Sequence, residues 1–171
     1  MNILLLEHYA GSPTHGMEYR PYYLAREWVR MGHRVRIVAA DHSHMRIRNP
    51  VVDGPAARET IDGIEYVWLR TPAYDGNGLG RVRNMAAFIR GLYRWARRGL
   101  GDFRPDAVVA SSTYPLDNYP ARSIARRFGA RFVYEVHDLW PLSPIELGGY
   151  SRLHPFILAM QAAEDYAYRH C

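Results

Sequence analysis

Lysine is missing from this chain altogether, cysteine occurs once, and no apolar run approaches the thickness of a bilayer. Each absence closes a class of reading. With Cys171 the only thiol, no intramolecular disulfide can form, and the composition fits a reducing cytoplasm. The longest aliphatic stretches, residues 3–6 and 107–110, are far short of the roughly 20 residues a spanning helix needs. The opening Met1-Asn2, followed at once by aliphatic residues, has neither a basic region nor a small-residue cleavage site, so it does not read as a secretory signal. There is no Walker lysine, no Gly-x-Gly-x-x-Gly and no Gly-x-Ser-x-Gly elbow, which argues against nucleoside-triphosphate, dinucleotide and serine-hydrolase chemistry. His8, His15, His42, His44 and His137 with Asp138 include no helical i, i+4 pair, and no Cys-x-x-Cys supports them, so metal catalysis is not expected.

What is present is an ordinary globular balance, 48% hydrophobic and 23% charged, over a length suited to one domain with a sizeable core. The net charge of +5 implies an anionic partner: a phosphate-bearing substrate, lipid headgroups or nucleic acid. Every Lys/Arg position is arginine, which codon bias explains better than bidentate phosphate recognition does, so the missing lysines carry no functional weight.

Residues 2–7 form an aliphatic run of the kind that fills a central parallel strand. Residues 8–16 are a loop carrying Gly11, Pro13 and Gly16, and residues 17–31 space their apolar side chains as a helix, with Pro21 in the first turn and Gly32 as the stop. Residues 33–40 alternate His and Arg with Val35, Ile37 and Ala39, completing a strand–helix–strand crossover. The polar stretch 41–55 reads as a long, mobile functional loop. Segments 58–61 and 64–70 flank Asp62-Gly63, a hairpin signal, and a second flexible loop over 71–80 contains Asp75-Gly76-Asn77-Gly78.

Residues 81–100 are the strongest amphipathic pattern. A helical wheel puts Val82, Met85, Ala86, Ile89, Tyr93, Ala96 and Leu100 in the core stripe, with Arg83, Arg90, Arg94, Arg97 and Arg98 on one flank and Phe88, Leu92 and Trp95 on the other. Such a helix can lie on an anionic membrane, with Phe88 and Trp95 at interfacial depth and the arginines supplying charge, or it can track nucleic acid, or it can be a solvated surface helix. A third aliphatic strand over 106–111, a loop over 112–120 and a helix over 121–128 with Gly129 as cap come next. A strand over 131–136 with a buried pattern, a loop over 142–150 and a helix over 153–170 complete the chain. The order predicts an α/β fold, a Rossmann-like three-layer α/β/α domain with a mainly parallel sheet.

Two places carry chemistry. The loop holding Gly11, Ser12, His15 and Gly16 joins the first strand to the first helix, where backbone amides and the helix dipole can face a phosphate; glycines that merely permit a tight turn are the alternative. The strand over 131–136 runs into Glu135, His137 and Asp138. At the carboxyl end of a strand in an open α/β sheet, such a cluster is a candidate for acid/base work or for sugar and phosphate binding. The plainer readings are a histidine bonded to backbone, a capping aspartate, and a glutamate paired with an arginine.

These blocks resemble a known family. Asn2-Ile3-Leu4-Leu5-Leu6 with His8-Tyr9-Ala10-Gly11-Ser12-Pro13, then His15-Gly16-Met17-Glu18-Tyr19-Arg20-Pro21, Gly32-His33-Arg34-Val35, Gly76-Asn77-Gly78, Asp138-Leu139-Trp140-Pro141 and Ile145-Glu146-Leu147-Gly148 are similar to the retaining family-4 glycosyltransferases of the GT-B fold. Within them the resemblance is to the WbuB-like group of O-antigen and capsule enzymes that transfer N-acetylfucosamine-type sugars. It implies that residues 1–171 are an N-terminal, acceptor-binding half of a GT-B fold, a fragment of a longer chain and inactive alone. The nucleotide-sugar donor would be held mainly by a C-terminal domain with paired glutamates that these residues do not match. It further implies Gly11 and Gly16 near the donor diphosphate and His137 beside the transferred sugar. Ser12, His15, Glu18, Arg20, Glu135 and Asp138 are the accompanying substrate-binding candidates. Front-face transfer, with the leaving phosphate taking the acceptor's proton, needs no metal and no cofactor. The implied partners are a nucleotide-sugar, a glycan or lipid-linked acceptor and the anionic inner face of the plasma membrane, approached peripherally from the cytoplasm, and no nucleic acid. A sugar- or phosphate-binding module without enzymatic activity, and a nucleotide-dependent epimerase or dehydrogenase, are the rival classes.

Overall fold

A computed structural model describes residues 1–171 except Asn77 and Gly99; the Asn77 of the Gly-Asn-Gly block therefore lies outside the described residues. Six strands, β1 (Asn2–Leu6), β2 (Arg34–Ala40), β3 (Ala56–Ile61), β4 (Ile64–Leu69), β5 (Ala107–Ala110) and β6 (Arg131–Tyr134), make one sheet in the order β3-β4-β2-β1-β5-β6. All neighbours are parallel except β3 and β4, which form the antiparallel hairpin that Asp62 (φ 50°) and Gly63 (φ 79°) turn. The chain steps outward from β1 to β2 and later returns to the other side of β1 as β5. This reversal between β1 and β5 is where open α/β sheets leave a crevice beyond their strand ends.

Helix α1 (Arg20–Arg30) covers one face of the sheet, burying Tyr22 and Ala25 against Ile3, Leu5, Val35, Ile37 and Val109. On the opposite face α2 (Leu79–Arg97) and α3 (Asn118–Phe128) pack Phe88, Leu92, Ala121, Ile124 and Ala125 against Leu4, Leu6, Val38, Val67 and Val108. Helix α5 (Pro155–Tyr168) lies on α3, and a short helix α4 (Leu142–Glu146) stands where a loop was expected. The result is the three-layer, mainly parallel α/β/α architecture of a Rossmann-like GT-B half.

Four expectations are corrected. The buried stripe of α2 is Asn84, Met85, Phe88, Leu92 and Ala96, rotated from the wheel's assignment, so Val82 and Ala86 face outward and Phe88 is fully buried. Phe88 therefore cannot meet a membrane; its ring stacks on His8 at 4.5 Å, and Trp95 is half-buried against the same core. Strand β6 is an edge strand with alternating exposure rather than a buried one, because among the described residues β5 is its only strand neighbour. Residues 41–55 are anchored, not loose: Arg46 is buried and donates to the carbonyls of Ala10 and Ala40 at 2.8 Å each, with its guanidinium 4.8 Å from the centre of the Trp68 ring. The following loop is anchored too, with Tyr74 buried between His42 and His44.

Candidate functional site

The sheet register places Leu5 beside Val109 and Val109 beside Val133. Two residues further along each chain stand Glu7, Ser111 and Glu135, and the pairing continues, since Ser111 N–H donates to Leu6 O and Glu135 N–H to Ala110 O. Period-two alternation turns all three side chains to the α1 face of the sheet.

The outer part of this row is a hydrogen-bonded cluster. Ser111 Oγ donates to Glu135 Oε2 at 2.6 Å, and His137 Nε2 lies 3.1 Å from the same hydroxyl and 3.5 Å from the same carboxylate oxygen. Arg20, at the start of α1, donates Nε to Glu135 Oε1 at 2.9 Å and reaches the same oxygen with a second guanidinium nitrogen. Hydrogen bonds from His137, Ser111 and Arg20, the first the largest, outweigh burial and hold the Glu135 carboxyl down at about 2. The Ser111 proton is committed to Glu135, so its oxygen accepts from His137. Nε2 thus carries a proton, and Nδ1 is the ring nitrogen that takes no part in this cluster.

The inner part is sealed. Glu7 is fully buried with no described partner for either carboxylate oxygen, and burial pushes its pKa up to about 8. Asp117 is buried at the turn before α3; its Oδ2 accepts from Ser112 N–H at 3.0 Å, Oδ1 has no described partner, and burial raises it to about 7. His8, next in the chain, is fixed on both nitrogens. Asn84 Nδ2 donates to Pro72 O at 2.7 Å, so its Oδ1 accepts from His8 Nε2 at 2.6 Å, while His8 Nδ1 accepts from Tyr114 OH at 2.5 Å. Burial drops His8 to about 3, which makes it a neutral structural tether between β1, α2 and the loop after β5.

The glycine loop closes on itself. Gly11 N–H donates to Glu18 O at 2.8 Å, Gly16 N–H to Ser12 O at 2.8 Å, and the amides of Thr14 and His15 to Ser12 Oγ at 3.2 Å each. Those amides are consequently engaged inside the loop rather than presented to a phosphate. A Cβ on Gly11 would lie 1.9 Å from Gly16 O, which is why only glycine fits there. Ser12 and His15 are buried and bonded to one another at 2.9 Å, with His15 Nε2 3.4 Å from Glu59. Burial lowers the His15 pKa. Glu18 is half-buried and its carboxylate faces Arg20 N–H at 3.4 Å. Asp138 is exposed and accepts Trp140 N–H at 3.0 Å through its carbonyl.

The structure thus brings Arg20, Glu135 and His137 together, buries Ser12 and His15, and leaves Asp138 at the rim. Sequence reasoning missed Ser111, Glu7, Asp117 and Arg46. For Ser111 and Glu7 the signal is a position directly after an aliphatic strand; Asp117 and Arg46 have no local signal.

Comparison with known proteins fits this picture. No curated protein matches the chain at a significant level. Residues 15–171, which include Arg20, Ser111, Glu135 and His137, match the family described as the glycosyl transferase 4-like domain. A match over that much of the chain, on a Rossmann-like half whose polar cluster sits at the sheet's switch point, establishes that the chain belongs to the glycosyl transferase 4-like family.

Proposed function

We propose that this domain is the acceptor side of a retaining glycosyltransferase, working with a donor-binding domain in a longer chain to move a sugar from a nucleotide-sugar onto a lipid-linked glycan or cell-surface polysaccharide precursor. The observation that carries the reading is the Arg20–Glu135–Ser111–His137 cluster. An ionised carboxylate and a serine hold the imidazole by one nitrogen, so the opposite nitrogen can accept a hydrogen bond from a sugar hydroxyl. In front-face transfer the leaving phosphate takes the acceptor's proton, and His137 contributes positioning together with charge stabilisation as bonding changes. An acetamidodeoxyhexose of the kind used in O-antigen and capsule assembly is the donor group that the sequence blocks favour.

The same reading places the enzyme in the cytoplasm, peripheral on the inner membrane face. Among the described residues no helix is long and apolar enough to cross a membrane. Arg90, Arg94, Arg97 and Arg98 are exposed along α2 and its end, and Arg122, Arg126 and Arg127 belong to the adjacent α3. Among the described residues none of the seven forms an ion pair with a carboxylate. Charge left unneutralised on neighbouring helices supports contact with anionic lipid.

The test is sugar transfer by the longer enzyme and by residues 1–171 alone, each given nucleotide-sugars and a lipid-linked acceptor. Transfer by the longer enzyme that falls at least tenfold in His137→Ala, with none from the shorter chain, is expected. Transfer catalysed by residues 1–171 alone would sink the half-site reading.

A further inference from the structure

Helix α2 starts without a capping side chain or an acidic residue. Its cap position is Gly78, which has no side chain to satisfy the first amides, no acidic residue occupies its first turn, and Arg81 and Arg83 follow close behind. Helix N-termini ordinarily gather carboxylates, because their amides and dipole favour negative charge. Here the dipole and Arg81 have the same sign, and both border a cavity.

That cavity encloses about 610 Å³ between the first turns of α2 and the segment that links β6 to α5, within the roughly 300–1,000 Å³ usual for small-molecule sites. Val82 and Met85 form one wall, Trp140 and Phe156 the other, Tyr114 lies between them, and Arg81 stands at the α2 end. The aromatic side is braced: Trp140 indole N–H donates to Thr113 O, Tyr114 OH donates to His8, and Phe156 meets Trp140 edge-on at 5.8 Å. Arg81 is held as well, with Nε donating to Tyr9 OH at 3.1 Å.

The lining decides the class of ligand. A pyranose carries several hydroxyls, each of which would need an acceptor or donor on burial, yet among the described residues no carboxylate or amide side chain lines this cavity. Its charged or titratable groups besides tyrosine are Arg81 and His154. The bordering elements also carry Leu79, Leu142, Leu147 and Leu153 on the surface, Leu79 and Leu147 each 88% exposed. Aromatic and aliphatic walls, Arg81 with a helix N-terminus at one end and an apolar rim match an amphiphile with one anionic group: the phosphate ester of a long-chain alcohol. Trp140 follows His137 by three residues and Tyr114 follows Ser111 by three, so the cavity draws on the same two post-strand segments as the polar cluster.

We propose that this cavity is a lipid-phosphate subsite. It takes the first isoprenoid units of the acceptor's carrier, with the phosphate against Arg81 and the N-terminus of α2. The inference rests on reading the domain as an acceptor half and adds the chemistry and location of the acceptor's anchor.

The experiment titrates the 171-residue chain with farnesyl phosphate below its micelle concentration, and with farnesol, inorganic phosphate and a neutral disaccharide, following tryptophan fluorescence and heat. Farnesyl phosphate should saturate one site, farnesol should bind at least tenfold more weakly, and inorganic phosphate and the disaccharide should not bind at the same concentrations. Val82→Glu, at a position 44% exposed and therefore tolerant of change, should weaken farnesyl phosphate at least tenfold with melting temperature unchanged. Arg81→Gln should reduce farnesyl phosphate to the level of farnesol. Farnesol binding as well as its phosphate, indifference to Val82→Glu, or a disaccharide that competes for the site would each overturn the proposal. In the longer enzyme, transfer to a lipid-linked acceptor that Val82→Glu leaves unchanged would also overturn it while leaving glycosyl transfer intact. Failure to transfer to any acceptor would count against the functional reading, with the binding results still deciding the cavity.

Discussion

Arg20 at the start of α1 donates its Nε to Glu135 Oε1 at 2.9 Å, joining residues 115 positions apart across the mouth of the crevice. The pair links the helix after β1 to the end of the edge strand β6, and the same carboxylate holds Ser111 and lies beside His137. Glu135→Gln keeps the shape but loses the charge and offers an N–H where an acceptor is needed. In the longer enzyme kcat should fall about 10- to 100-fold, in the range of general positioning effects, with KM changed less than threefold. Arg20→Ala, whose side chain is half-exposed, should cost under tenfold. Because the Glu135 pKa is depressed, its contribution to stability is complete above about pH 4.5 and is lost as pH falls toward about 2. The acid limb of an activity profile between pH 5 and 7 should therefore survive Glu135→Gln, which kinetics across that range would check.

Glu7 and Asp117 work in the opposite sense. Burial raises both, so the folded chain holds their protons more tightly than the unfolded chain, and stability must fall as pH rises from the ordinary carboxylate range through about 7 for Asp117 and about 8 for Glu7. Each contributes a slope of roughly 1.4 kcal/mol per pH unit inside its window. The domain should accordingly melt at a higher temperature at pH 5 than at pH 8.5, and Glu7→Gln should remove part of that difference. Calorimetry at the two pH values on both proteins measures it; equal differences would show that Glu7 does not titrate.

Much of the fold was legible because it is written in local patterns. The aliphatic runs of β1, β2 and β5 and the Asp62-Gly63 turn gave strands and hairpin nearly to the residue. Burial was not local. Arg36 looks like an outward residue of an alternating strand, yet it is fully buried, donating to Leu100 O at 2.7 Å and to Glu65 at 2.9 Å under the segment that follows α2. Glu7 and Arg46 are hidden for the same reason: what covers them arrives from distant sequence. The phase of α2 was misjudged because Tyr93 and Val82 are as apolar as Phe88 and Leu92, and only the sheet selects which arc is buried. His137 and Glu135 stand out in the sequence as candidates because they end a strand; Ser111, their third partner, emerges only from the register between β5 and β6.

Arg46 should be the most sensitive cation in the domain. It satisfies Ala10 O and Ala40 O, stacks on Trp68, and sits near Glu7, with burial lowering its own pKa to about 10. Arg46→Ala leaves those carbonyls without a donor and opens a cavity beneath residues 8–16. A loss of about 3–5 kcal/mol is expected, typical of removing one member of a buried polar network. Urea denaturation gives the magnitude, and hydrogen exchange should show the amides of Gly11 and Gly16 losing protection first.

The two kinds of glycine in the chain separate steric need from backbone need. Gly11→Ala places a methyl 1.9 Å from a backbone oxygen that cannot move without breaking the loop, so a loss of about 3 kcal/mol or more is expected. Gly32→Ala meets nothing within 4 Å but must hold φ at +83°, and should cost about 1 kcal/mol. Denaturation midpoints for the two variants should differ accordingly, and similar values would show that the loop relaxes around Gly11.

Membrane contact, if it uses the α2–α3 face, depends on charge and not on Phe88. Arg90, Arg94 and Arg126 are exposed, and each basic residue near an anionic surface is worth about 1 kcal/mol. Changing all three to glutamine should weaken binding to phosphatidylserine-containing vesicles by about 3 kcal/mol, on the order of 100-fold, without altering the melting temperature. Salt near 0.5 M should reproduce the loss by screening. Phe88→Ser, in contrast, should destabilise the core by about 3–5 kcal/mol, because its ring is enclosed by the sheet and by His8. Vesicle sedimentation of the folded variants decides the matter: binding that persists in the triple glutamine variant would remove this face as the membrane contact.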